Sequence, residues 1–385
     1  MTVINIDGAL KAVINYRIYY CRVPKYKHSA FFVYNISGNE SQKELNMKKY
    51  NIAVVGATGM VGNKFLEVLS EKNLPVENYY LFASSKSAGK VVDFMGKPHT
   101  IIELTEENVR ATKVDIALFS AGGSVSAKFA PVFAECGAVV IDNSSQWRMD
   151  KNVPLVVPEV NPQDIDWNNG IIANPNCSTI QAMVVLKPLH QKYGIKRVVY
   201  STYQAVSGAG VAGYNDLLDG IKAFANGEDY KTKKFPYQIA NNVIPQIDVF
   251  LPNGYTKEEE KMIKETKKIL GDDTIKVTAT TVRVPVLNSH SESINIEFNK
   301  PCTREGIIEA LRGQKGVVVV DEDANNFYPM PIDATGHDEV YVGRIRLDDT
   351  VESGCNLWCV ADNIRKGAAS NAVQIAEYMI ENNKI

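Results

Sequence analysis

From Tyr50 onward, apolar and polar positions fall into blocks whose period changes along the chain. Tyr50–Val55 is a short apolar run ending in Gly56-Ala57-Thr58-Gly59-Met60-Val61-Gly62. Beyond the glycines, Phe65, Leu66, Val68 and Leu69 share one helical face, and Asn73-Leu74-Pro75 stops that helix. Strand-like runs recur at residues 79–83, 115–120, 139–143 and 170–173, with helical or loop material between them. This alternation predicts a doubly wound parallel sheet, an α/β nucleotide-binding architecture. Further on the period shortens to two: Ile294, Ile296 and Phe298 alternate with Ser293, Asn295 and Glu297. Strands are expected at 197–203, 275–284, 293–298 and 317–321, and helices at 178–193, 214–225, 257–270 and 303–311. These elements predict an α+β domain on a mostly antiparallel sheet, whose outer face would suit a dimer interface. A last helix over 366–381 buries Ala369, Ala372, Val373, Ala376 and Met379 and is expected to return to the first domain. No internal repeat or low-complexity tract is visible.

Residues 1–48 break this regularity. They hold seven Lys/Arg against three acids, and seven aromatics with no steady period. No apolar stretch with a small-residue cleavage site marks a secretory signal. The expectation is an extension outside the fold, from a start assigned too early, because Met47 directly precedes the first strand. The domain reading is therefore 1–48 as extension, 49–176 plus 363–385 as one doubly wound, Rossmann-like domain, and 177–362 as the α+β domain.

Charge and cysteine usage narrow the function. The 385 residues carry 42 Lys plus Arg against 44 Asp plus Glu, so no basic excess points to nucleic acid or a membrane surface. No apolar run approaches the ~18 residues of a spanning helix. Six cysteines without a CxxC pair read as reduced thiols of a cytoplasmic protein, and the five histidines show no HxxxH or HExxH spacing, so no metal is expected.

Three segments carry candidate chemistry. Gly56, Gly59 and Gly62, between a strand and a helix, form a dinucleotide-type loop in which small residues let a pyrophosphate rest on helix N–H groups. At the end of the second strand, where an NAD site usually holds an acid, the chain reads Ala83-Ser84-Ser85-Lys86-Ser87; a cation among hydroxyls suits a 2′-phosphate, hence NADP. The segment Asn174-Pro175-Asn176-Cys177-Ser178-Thr179 places Cys177 where a strand end meets a helix N-terminus, whose dipole would lower a thiol pKa. Cys136, Cys302, Cys355 and Cys359 lie in apolar or strand-like contexts and are expected to be buried and inert.

A nucleotide site with an activated cysteine suggests a thioester-forming aldehyde dehydrogenase. From about Tyr50 the chain resembles the aspartate-semialdehyde dehydrogenase family in its bacterial form, on seven segments in the family's order: Gly56–Gly62, SSKSAGK at 84–90, NPNCST at 174–179, YQAVSGAG at 203–210, TKEEEK at 256–261, RVPVLNSH at 283–290 and DNIRKGA at 362–368. The resemblance implies reductive dephosphorylation of aspartyl 4-phosphate in the biosynthesis of lysine, threonine, methionine and diaminopimelate. It implies roles for individual residues as well. Cys177 would be the nucleophile, His290 the general base, and Gln204 the group orienting the substrate. Arg283 would bind the α-carboxylate, Glu258 the amine, and Lys261 and Arg148 the phosphate. Thr58, Met60 and Val61 of the glycine loop, with Ser85, Lys86, Ser87, Ser207, Gly208 and Asn363, would contact NADP. The partners implied are a small-molecule substrate, inorganic phosphate and a second copy in a homodimer. Alternatives are N-acetyl-glutamyl-phosphate reductase, which TKEEEK and RVPVLNSH disfavour, and glyceraldehyde-3-phosphate dehydrogenase, whose S-C-T-T-N segment is absent. A non-catalytic relative would be expected to lose Cys177 or His290, and both are present.

Overall fold

Two six-stranded sheets organise the chain. The computed structural model describes residues 48–385, and Tyr50–Ile385 packs as one unit. The expected extension over 1–48 lies almost wholly outside the described residues.

The first sheet contains β1 (Tyr50–Val55), β2 (Val76–Ala83), β5 (Ile102–Glu103), β6 (Ile116–Phe119), β7 (Val139–Asp142) and β8 (Ile171–Ala173). A polar hairpin, β3 (Val91–Phe94) and β4 (Lys97–Thr100), stands apart from it. The order is β5-β2-β1-β6-β7-β8 and every pairing is parallel. The strand order reverses between β1 and β6, so the loops after these strands part and leave a crevice, the usual ligand position in such sheets. Helices α1 (Met60–Glu71), α2 (Glu106–Ala111) and α3 (Gly123–Glu135) connect the strands. Both faces of β1 are covered. Ile52 and Val54 pack with Phe65 and Leu69 of α1, while Ala53 and Val55 join Phe119, Phe129 and Phe133 on the other side. A strand buried on both sides has no polar face, which is why residues 52–55 read as an unbroken apolar run.

The second sheet runs β10-β9-β11-β14-β13-β12. The helices α4 (Cys177–Tyr193), α5 (Gly210–Asn226), α6 (Lys257–Leu270), α7 (Arg304–Arg312) and α8 (Pro331–Ala334) accompany β9 (Ile195–Gln204), β10 (Lys276–Arg283), β11 (His290–Phe298), β12 (Val317–Val319), β13 (Val340–Leu347) and β14 (Gly354–Ala361). Its three inner pairings are antiparallel and the two outermost parallel, so the expected mostly antiparallel sheet is mixed at its edges. Buried residues of α4 cover one face of this sheet, in a core shared with Ile294, Ile296 and Leu357. Tyr203 and Trp358 pack against each other on the opposite face with ring centroids 5.3 Å apart and planes tilted by 52°, and Tyr203 is exposed. The last helix, α9 (Ser370–Glu381), returns to the first sheet as expected, burying Ala372, Val373, Ala376 and Met379 there. It is preceded by a π-helical turn, Arg365–Ala369, where a regular helix start was expected.

Three expectations are corrected. β13 and β14 were not foreseen, although β14 occupies the sheet's interior beside β11. β11 begins at His290 rather than at 293, which puts the histidine on a strand end. Cys136 is exposed rather than buried, because it caps the C-terminus of α3 on the solvent side while Phe129, Ala130 and Phe133 face the core. Cys355 and Cys359 are buried as expected, and Cys302 is half-buried.

Candidate active site

Strand register gathers the site. Gln204 and Arg283 are partners at the C-terminal ends of the parallel strands β9 and β10. β11 runs the other way, so its first residue, His290, lies at the same edge, paired with Ala361 of β14 just before Asn363. Facing this edge is the N-terminus of α4. The Asn176 side chain caps that helix, accepting the Ser178 N–H at 3.0 Å and the Thr179 N–H at 3.4 Å, which is the reason the helix starts at Cys177. A carboxylate of α6 clamps the cap, as Glu265 accepts the Asn176 N–H at 2.7 Å and an Arg148 N–H at 3.1 Å.

Cys177 sits where two clefts meet. One, of about 290 Å³, contains Met60, Val61, Ser120, Asn143, Ser207, Gly208 and Asn363. The other, of about 500 Å³, contains Arg148, Gln204, Glu258, Lys261 and Arg283. Both include Cys177, Asn176, Arg148 and Gly208. Close packing fixes this junction. A methyl group on Gly208 would lie 2.9 Å from Arg283 Nη1 and 3.4 Å from His290 Nε2, and one on Gly367 would lie 2.9 Å from Cys177 Cβ.

The electrostatics differ from the sequence expectation at the nucleophile. Burial, helped by the Glu258 charge, pushes the Cys177 thiol up to about 12, against the opposing pull of Arg148 and Arg283. In the ligand-free protein the helix dipole is outweighed and Cys177 is a thiol. Alkylation of the Cys177 peptide by iodoacetamide is therefore expected to speed up about tenfold per pH unit from pH 7 to beyond pH 9, followed by mass spectrometry to separate it from exposed Cys136. A rate that levels off below pH 8 would contradict this.

His290 is wholly buried, and burial together with the Arg283 charge holds its pKa down to about 3. Its Nδ1 accepts the Ala205 N–H at 3.0 Å, so the neutral ring carries its proton on Nε2. It starts as a hydrogen-bond donor, and acting as a base at Nε2 requires a change of tautomer. Because the folded pKa lies below the ordinary 6.5, the unfolded chain binds more protons between the two values. This histidine's contribution to stability is thus complete above about pH 6.5 and is lost as the pH falls toward 3.

The expected Glu258–Lys261 face exists, with a 3.0 Å ion pair, and Lys261 also reaches Asp248 at 3.1 Å. Burial raises the Glu258 pKa, but Lys261 and the hydrogen bonds from Asn176, Lys261 and Gln204 win and hold it at about 2. Arg283 is buried, donates to the Ala205 carbonyl at 2.6 Å and lies 5.9 Å from the Phe235 ring centre. Arg148 uses three of its five N–H groups on Asn174 O, Glu265 and Asn143 O, so two remain for a ligand.

The glycine loop fits a dinucleotide. Gly56 has φ +85° and lies so close to β6 that a methyl group would meet Ser120 O at 2.5 Å; one on Gly62 would meet Gly56 O at 2.0 Å. Gly56, Thr58 and Gly59 line a cavity of about 450 Å³ with Ser84, Ser85, Glu103 and Ser120, and Ser120 also belongs to the cleft reaching Cys177. The Thr58 and Ser87 hydroxyls are 3.4 Å apart. Lys86 is exposed and does not line this cavity, so the structure does not bring it together with the rest. Ser207 Oγ and Asn363 Oδ1 lie 3.2 Å apart at the other end. Sequence reasoning missed Glu103, Asp248, Lys234 and Phe235, all on loops or a short edge strand without a motif. Among the described residues no three His, Cys, Asp or Glu could hold a metal, and no helix is long and apolar enough to cross a membrane.

Residues 51–168 match the family described as semialdehyde dehydrogenase, NAD binding domain, and residues 186–366 match semialdehyde dehydrogenase, dimerisation domain. The chain is 58% identical over 335 residues to an aspartate-semialdehyde dehydrogenase of Aquifex aeolicus, covering 86% of this chain and 98% of that protein. The crystal structure of aspartate semialdehyde dehydrogenase II from Vibrio cholerae, complexed with ASA, superposes with a TM-score of 0.84 at 49% identity, over 87% of this chain and 99% of that one. The enzyme of Candida albicans, solved with NADP, gives 0.69 at 27% identity over 88% and 100%.

Proposed function

The chain belongs to the aspartate-semialdehyde dehydrogenase family, and from that premise we propose that it is an NADP-dependent, phosphorylating aldehyde dehydrogenase that makes aspartate 4-semialdehyde from aspartyl 4-phosphate through a Cys177 thioester. One observation carries the reading: Cys177 lies at the junction of a cleft joined to the glycine loop and a cleft holding Arg283, Glu258 and Lys261. Residues 49–176 with 363–385 hold the nucleotide in this scheme, and 177–362 supply the chemistry and a homodimer interface.

Arg283 takes the α-carboxylate in its planar fork, Glu258 pairs with the ammonium, and Arg148 and Lys261 face the phosphate. Gln204, tied to Glu258 at 3.2 Å, turns the acyl carbon toward sulfur. The Cys177 sulfur bonds to that carbon, the bond to the phosphate oxygen breaks, and phosphate leaves with the electron pair. With its ring proton moved from Nε2 to Nδ1, at the cost of the hydrogen bond from the Ala205 N–H, His290 receives the thiol proton at Nε2, hydrogen-bonds the substrate oxygen with it when the carbon is tetrahedral, and returns it to sulfur as the aldehyde departs. Gly56–Gly62, Ser85, Ser207, Gly208 and Asn363 would hold a nicotinamide dinucleotide, which would supply the hydride. The reverse reaction tests all of this: purified protein given aspartate semialdehyde is expected to reduce NADP over many turnovers only when inorganic phosphate is present, and to stop at one equivalent per site without it.

Cofactor choice has a second reading. Ser84, Ser85 and nearby Lys86 favour a 2′-phosphate, whereas Glu103 lines the same cavity and an acid there favours an unphosphorylated ribose. Lys86→Asp is expected to weaken NADP binding on the order of tenfold and leave NAD binding unchanged, as read by fluorescence titration. Equal affinities in wild type and variant would make Lys86 a solvated loop residue and shift the choice to Glu103.

A further inference from the structure

We infer that Lys234, on the loop after α5, is a phosphate-binding residue of this site, acting with Arg148; the inference rests on the Cys177 thioester reading. The charge balance of the substrate cleft points to it. The cleft is lined by four cations, Arg148, Lys234, Lys261 and Arg283, and two acids, Asp248 and Glu258. Lys261 is already held between both acids, at 3.0 and 3.1 Å, and brings little uncompensated charge. Arg148 is paired with Glu265 and has two N–H groups to spare. Once Arg283 takes the carboxylate and Glu258 the ammonium, the phosphoryl dianion still needs positive charge. Lys234 has no carboxylate partner among the described residues, whereas neighbouring Lys233 is paired with Asp219 at 2.9 Å.

A second observation shows that the loop is built to hold this position. Asp216 of α5 is 1% exposed, and its carboxylate accepts the backbone N–H groups of Lys233, Lys234 and Phe235 at 2.9, 3.1 and 3.1 Å and the Tyr230 hydroxyl at 2.6 Å. Burying a carboxylate is unfavourable unless its oxygens are satisfied, and here four donors satisfy them. The pinned amides fix residues 233–235 against the side of α5. Phe235 then lies over the Arg283 guanidinium, and Lys234 lines the cleft that contains Cys177. The Lys234 stem, with four rotatable carbons, can follow phosphate in and out, which suits a group that must be released on every turnover.

The test is the oxidative reaction of the full chain with aspartate semialdehyde, NADP and inorganic phosphate varied separately. Lys234→Ala is expected to raise the KM for phosphate about tenfold or more while changing the KM for the aldehyde and for NADP less than about twofold. Lys234→Arg should recover most of the loss. Asp216→Asn, which weakens the loop's anchor, should raise the phosphate KM in the same direction without changing the yield of Cys177 acyl-enzyme formed in phosphate-free buffer. An unchanged phosphate KM in Lys234→Ala, or a rise confined to the aldehyde KM, would overturn the assignment. Failure of the thioester reading would show differently, as a wild-type protein that forms no acyl-enzyme and has no phosphate requirement.

Discussion

Cys177→Ala is expected to lower turnover by on the order of 10⁴-fold or more, while dinucleotide binding stays within about twofold of wild type. In this scheme the Cys177 sulfur holds the acyl group while hydride and phosphate are exchanged, so its removal eliminates the covalent route. The cavity lined by Gly56, Thr58 and Gly59 does not include Cys177. Alanine at the first position of α4 keeps the Asn176 cap, whose bonds go to the backbone of Ser178 and Thr179, so the fold is expected to persist. Intact-mass measurement supplies the direct check: wild type given aspartate semialdehyde and NADP without phosphate should gain one acyl group, and the variant none. Substantial activity in Cys177→Ala, or an adduct on a different residue, would remove the thioester from the mechanism.

Arg283→Lys is expected to lower kcat/KM for aspartate semialdehyde by about a hundredfold or more, with cofactor affinity nearly unchanged. Lysine keeps the charge but loses the fork that grips a carboxylate in one orientation, and a carbonyl displaced by ~1 Å reacts on the order of a hundredfold more slowly. The structure adds a second route to the same loss. Arg283 donates to the Ala205 carbonyl at 2.6 Å, and the Ala205 N–H fixes the His290 ring. A small aldehyde lacking the carboxylate separates the two effects. If Arg283 acts on the carboxylate, this poor substrate is little changed by the substitution. Equal losses on both substrates would mean that the arginine serves mainly to hold Ala205 and His290.

Several features were legible because their causes are local. Helix α6 runs Lys257–Leu270 as read from the sequence, since Thr256 and Glu259 form a capping box at one end and Gly271 takes a left-handed conformation at the other. The glycine loop, the capped Cys177 and the three-residue spacing of Glu258 and Lys261 are likewise set within one or two turns of chain. Harder to read were β13 and β14. Val340–Leu347 mixes apolar residues with Arg344 and Arg346, and Gly354–Ala361 becomes a central strand only because β11 pairs with it along eight residues. Lys234 and Asp216 belong to no motif, and their meaning comes from a loop folding back 14 to 19 residues onto its own helix.

The sequence by itself therefore determined which residues could do chemistry here and the order of elements presenting them, because caps, turns and periodicity depend on neighbours within a few positions. Only the tertiary structure decided their protonation and their company. A helix N-terminus predicts a lowered thiol pKa at Cys177, yet burial and Glu258, 81 residues away in the chain, raise it to about 12. His290 owes its neutral, Nε2-protonated state to burial, to Arg283 and to the Ala205 amide just beyond the end of β9. Desolvation and Coulomb interactions are sums over everything nearby in space, and proximity in space is what a linear pattern does not contain.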